Sequence, residues 1–112
     1  MNNRLKFDKQ VGWAVGIDDK DVLLGYFVSD TKYDLPETIV TLESVEKGEK
    51  TFEDFLDYSE GWSIADGFGG IFTCDQKTAY FTANEDSSLP SMQMPLKELI
   101  EILYDFKAFL GK

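Results

Sequence analysis

Leu96, Leu99, Ile100, Leu103, Phe106 and Leu110 recur at spacings of three and four behind Pro95, a residue that suits the first turn of a helix. This spacing predicts a C-terminal helix with one apolar stripe. Such a stripe is stable only when laid on another apolar surface, so the rest of the chain has to supply one. Lys97, Glu98, Glu101, Asp105 and Lys107 interrupt the run, which makes it too charged to cross a membrane.

The upstream pattern points to strands. In VGWAVGI (11–17), Val11, Trp13, Val15 and Ile17 share one face and Gly12, Ala14 and Gly16 the other, the period-two pattern of a strand. On this pattern Trp13 is expected to fill core. The turn residues DDKD follow, and VLLGYFVS (22–29) reads as a second, more buried strand closing a hairpin. Asp34, Leu35 and Pro36 mark a loop before a third strand, TIVTLESV (38–45).

Thr51 and Asp54 then match a capping box opening a short helix, TFEDFLDYSE (51–60). GIFTC (70–74) and TAYFTA (78–83), separated by three residues, read as another hairpin, with NEDSSLPSMQM as a polar loop before the helix. The connections between neighbouring strands are too short for parallel crossovers. The expected fold is α+β: one domain, residues 1–112, with a mainly antiparallel sheet, a short helix and a C-terminal helix on one face. No linker or repeat divides the chain.

Charge narrows the function classes. Twenty-one acids against eleven bases leave a net charge of −10, with one arginine and no histidine. Such a surface repels phosphate backbones and anionic headgroups, so neither nucleic acid nor membrane is expected as a direct partner. Residues 51–86 are the most acidic third, eight acids against Lys77 alone. The N-terminal MNNRLKFDKQ lacks an apolar signal core and Cys74 has no disulfide partner, so a cytoplasmic location is expected.

No catalytic set stands out. Ser–His and Cys–His catalysis need a histidine, and zinc sites lose a principal ligand. Cys74, inside an apolar strand, reads as inert core. Asp18, Asp19 and Asp21 crowd one turn without the EF-hand spacing, and DGFGG matches neither a P-loop nor a dinucleotide fingerprint. Those glycines read as a turn using positive φ. No cofactor, metal or enzymatic turnover is expected; the alternative of a carboxylate-based hydrolase requires a cleft and a raised acid pKa that no stretch marks.

What remains is surface. On the predicted 51–60 helix, Glu53, Asp57 and Glu60 fall on one side, either as a solvated face or as a contact for a basic protein. Trp62 and Phe68 flank the glycines, either plugging the end of the sheet or standing exposed as anchors. With Asp66 and Asp75 they complete the candidate binding set.

From Asp66 onward, "DGFGGIFTCDQKTAYFTANEDSSLPSMQMPLKELIEILYDFKAFLGK" resembles the C-terminal half of a family of immunity proteins from bacterial polymorphic-toxin and contact-dependent growth-inhibition systems. The matching residues are Ala83, Asn84, Ser88, Leu89 and Pro90, then Leu99, Leu103, Phe106 and Gly111. The resemblance implies a cytosolic inhibitor that binds and neutralises a cognate toxin C-terminal domain one-to-one. Charge complementarity then makes that toxin a basic nuclease or nucleic-acid-modifying domain. The alternative is a non-inhibitory acidic adaptor that binds a host-cell protein.

Overall fold

The computed structural model describes residues 3–57 and 59–111. The C-terminal stripe folds as its spacing predicts. Helix α3 (Leu96–Leu110) buries Leu96, Leu99, Ile100, Leu103 and Phe106, and adds Ile102. It is preceded by an antiparallel four-stranded sheet in the order β3 (Trp62–Ile64), β4 (Gly70–Cys74), β5 (Thr78–Ala83) and β6 (Met92–Pro95). The β4–β5 hairpin is the one predicted, and its turn is tied by Asp75, whose Oδ1 accepts the Lys77 and Thr78 amides at 2.9 and 2.7 Å.

A second, two-stranded sheet pairs β1 (Leu5–Asp8) with β2 (Trp13–Gly16), followed by helices α1 (Val22–Asp30) and α2 (Leu35–Glu46). The protein is thus α+β, with three α-helices and two antiparallel sheets among the described residues. No helix among the described residues is long and apolar enough to cross a membrane.

Two predicted strands are helices. Residues 22–29 form α1, which buries Leu23, Leu24, Phe27 and Val28, pairs of neighbours one helical turn apart. Residues 38–45 lie in α2, whose buried Leu35, Thr38, Ile39, Leu42 and Val45 make a helical stripe that begins before Pro36, inside the presumed loop. The partner of β2 is consequently β1, in the segment before it, and not the run at 22–29. Strand β6 also arises inside the stretch expected to be a loop.

Phe72 on β4 is the centre of the core. It is fully buried and meets Phe27 of α1 at 4.3 Å between centroids, Phe81 of β5 at 5.1 Å and Phe52 edge-on at 5.6 Å. Phe7 of β1 packs on Phe106 and Phe109 of α3, both at 5.2 Å, which joins the two sheets through one helix. Arg4 adds a polar staple, reaching Asp21 before α1 at 3.0 Å and Glu98 of α3 at 2.8 Å. Asp21 is only 2% exposed, and the guanidinium compensates its charge.

Candidate docking groove

The alternation in β2 is real, but its inside and outside are reversed from expectation. Ala14 is buried, whereas Trp13 is 52% exposed, and Val11, Val15 and Ile17 are exposed with it. The cause is the closeness of α1. A Cβ on Gly25 would lie 2.8 Å from the Gly16 amide nitrogen and 3.1 Å from the Ala14 carbonyl oxygen, so helix and strand touch backbone to backbone. Only the small face fits such an approach, which turns the large face outward. The expectation that Trp13 fills core is therefore corrected.

Outside that contact, a groove of about 730 Å³ runs over α1. Val22, Gly25, Tyr26 and Ser29, spaced along one helical face, form its floor. Trp13 and Val15 of β2 form one wall, and Ser63 of β3 with Ala65 and Asp66 forms the other. Tyr33, 84% exposed, stands at one end, and the Lys32 ammonium lies 6.0 Å from the Trp13 ring centroid and 5.2 Å from that of Tyr33.

The first wall is the edge strand β2, the second is the end of β3 with the turn that follows it, and α1 bonds to the backbone of both. Ser29 Oγ accepts the Ala14 N–H and donates to the Ala14 carbonyl, each at 2.9 Å. Asp30 Oδ2 accepts the Ala65 N–H at 2.7 Å. The Ser29 bonds occupy the ladder groups of Ala14 on β2, and the Asp30 bond ties the turn just past the end of β3.

The second wall is a strained turn. Ala65 and Asp66 both adopt positive φ, 54° and 56°, before Gly67 at 93°. Two consecutive non-glycine residues there cost about 1–3 kcal/mol each, a strain typical of clamps and ligand sites. Asn84, one of the residues that carries the family resemblance, holds the turn by donating its side-chain amide to the Gly67 and Phe68 carbonyls. Phe68 is left 85% exposed at the tip. The glycines are thus a shaped turn, as their flanks suggested.

Partial desolvation against the groove raises the Asp30 carboxyl pKa although the residue as a whole is exposed; its bond from Ala65 opposes the rise, and the charge of Asp66 adds to it. Neither Asp30 nor Asp66 has an ion-pair partner among the described residues.

The candidate residues from sequence do not form one cluster. Asp66 lines the groove, and Trp62 lines an adjoining cleft that shares Asp30 and Ser63 with it. Trp62 is half-buried, edge-on to Phe52 at 4.9 Å and parallel to Phe27 at 6.5 Å, so it plugs the end of the sheet while Phe68 is the exposed partner of the pair. Glu53 and Asp75 line a separate cleft of about 330 Å³ beside Cys74. Asp57 and Glu60 are exposed and line none of these clefts.

The predicted helical stripe is corrected as well. The capping box of Thr51 and Asp54 forms, but it opens only one 3-10 turn, Phe52–Phe55, after which Leu56 is extended; Tyr58 lies outside the described residues. Burial of Phe52, Phe55 and Leu56 within so short a segment takes precedence over helical continuation. Glu53, Asp57 and Glu60 therefore share no helix face.

Trp13, Tyr26, Asp30 and Tyr33 were missed as site residues. Alternation marked Trp13 correctly as a face-mate of Val15, but burial was assigned to the larger face by default. Tyr26 was hidden by the strand assignment of 22–29, since only a helix places Val22, Tyr26 and Ser29 on one side; Asp30 and Tyr33 lie beyond that run, at the end of α1 and in the 3-10 turn Thr31–Tyr33 that follows.

Other chemistry is accounted for structurally. Cys74 is buried in β4, and burial, with Asp75 and Glu53 nearby, pushes its thiol up to about 12. Asp21 is committed to Arg4, and among the described residues no three His, Cys, Asp or Glu side chains gather to hold a metal ion. No family model, curated protein or solved structure matches the chain.

Proposed function

We propose that this chain is an immunity protein that binds a cognate bacterial toxin domain and neutralises it in a stoichiometric complex. The observation that carries the reading is the outward-turned β2 face, where Trp13, Val15 and Ile17 stand exposed beside Tyr26 and Tyr33. A fold that buries glycine and alanine and exposes tryptophan and tyrosine presents the side chains that anchor protein interfaces. The surplus of acids favours a basic partner, and nucleic-acid-acting toxins fit that charge. The resemblance of residues 66–112 to immunity proteins supplies the toxin as partner, with inhibition acting by occlusion and no turnover.

Calorimetric titration against the C-terminal domain of the protein encoded immediately upstream tests this reading. One-to-one binding that weakens at high salt, with loss of the domain's activity, is the expected result. Binding without inhibition would instead favour the adaptor alternative, and no binding at either salt would remove that domain as the partner.

A further inference from the structure

The groove over α1 combines features that together specify an occupant. Trp13, Tyr26 and Tyr33 line it together with the carboxyl-bearing Asp30 and Asp66, and the Ala14 edge of its β2 wall is already bonded to Ser29. Adding a partner strand to β2 at Ala14 would require breaking those bonds, so this wall favours side chains over an added strand. Lys32 already lies near the faces of Trp13 and Tyr33, an internal instance of a cation among these rings. The carboxylates of Asp30 and Asp66, by contrast, sit near each other without an ion pair among the described residues, an arrangement that a positive group would relieve.

We propose that this groove receives a guanidinium or ammonium group from a loop of a basic protein, with Asp30 and Asp66 taking its charge and Trp13 and Tyr26 covering its aliphatic stem. The proposal deepens the inhibitor reading by placing the contact surface on α1 and β2, away from Glu53, Asp57 and Glu60. A guanidinium suits the site better than an ammonium, because its planar fork reaches two acceptors while its face lies on a ring.

The test uses the full chain, isotope-labelled, titrated with a capped peptide carrying two arginines separated by glycine, and with the matching glutamate peptide as control. Saturable shifts at the amides of Ala14, Ser63 and Ala65 and at the Trp13 indole are expected with arginine alone. Joint Asp30→Asn and Asp66→Asn substitution should weaken the binding roughly fivefold to tenfold, with no fall in the unfolding midpoint. Glu53→Gln with Glu60→Gln should leave it intact.

Shifts spread over all acidic surfaces, equal weakening by both variant pairs, or no groove shifts would each overturn the proposal. So would sedimentation showing a dimer that closes the groove. These outcomes are independent of the upstream toxin domain: peptide binding without toxin binding keeps the groove and removes that domain as the partner, and the reverse result removes only the groove.

Discussion

The two sheets use the same strand alternation in opposite ways. In β4, Phe72 and Cys74 point into the core and Ile71 and Thr73 are only partly covered, so the large aromatic side chain determines the inner face. In β2, Ala14 and Gly16 point inward and Trp13 and Val15 outward, so a close helix determines it. Alternation therefore identifies which residues share a face. The distance to the covering element decides which face is buried.

The largest break in this comparison comes from Phe72→Ala, which empties the aromatic centre. It should cost about 3–5 kcal/mol in urea unfolding. A loss below about 1 kcal/mol would mean that the four-stranded sheet is not the main core.

Gly25→Ala probes the other sheet. In an ordinary helix, alanine is more favourable than glycine by roughly 1 kcal/mol. Here the new methyl meets the Gly16 and Ala14 backbone at 2.8–3.1 Å, so a net destabilisation of about 1–3 kcal/mol is expected. Hydrogen exchange should show the loss first in β1 and β2. Stabilisation would contradict the backbone-to-backbone contact.

Two aspartates sharpen the contrast between a structural turn and a site. Asp75 accepts the Lys77 and Thr78 amides, and these bonds hold its carboxyl below the ordinary range. Its contribution is present at neutral pH and lost as pH falls through the depressed folded value. Asp30 has the opposite sign: its pKa is raised, so ionisation costs stability at neutral pH and that cost disappears on acidification. Asp75→Asn should therefore destabilise by about 0.5 kcal/mol after solvent screening, and Asp30→Asn should stabilise by a few tenths. Both differences should shrink as pH approaches 3, a trend that pH-dependent thermal unfolding can follow.

The smallest effect on stability belongs to Trp13→Ala, within about 0.5 kcal/mol, because its ring is half outside the fold. A loss like that of Phe72→Ala would return Trp13 to the core and dissolve the contrast.

The α3 helix and the β4–β5 hairpin were legible in the sequence because their signals are long or doubled, whereas β3 and β6 lie mostly in stretches that read as loops. The α3 stripe spans four turns, and the β4–β5 runs flank a short polar turn. The N-terminal half was less legible. VLLGYFVS is apolar on every side, and a run of eight cannot be assigned to helix or strand by periodicity alone.

In α2 the helical signal was present, from Leu35 to Val45, but Pro36 was taken as loop chemistry when it opens the helix. Leu5 and Phe7 alternate as a strand should, although four residues carry little weight without their partner. As for the candidate site, Asp66 and Phe68 were found because glycines drew attention to their turn. The groove was not, since its floor exists only once α1 is helical.

Calorimetric affinity of a Trp13→Ala, Tyr33→Ala variant, set beside that of the wild-type chain, for the proposed toxin partner tests the central claim most directly. The account predicts a loss of about 30-fold or more with an unchanged unfolding midpoint, as expected for interface anchors. Retained affinity in that variant, with affinity lost instead on charge reversal at Asp57 and Glu60, would contradict it and place the contact on the acidic segment.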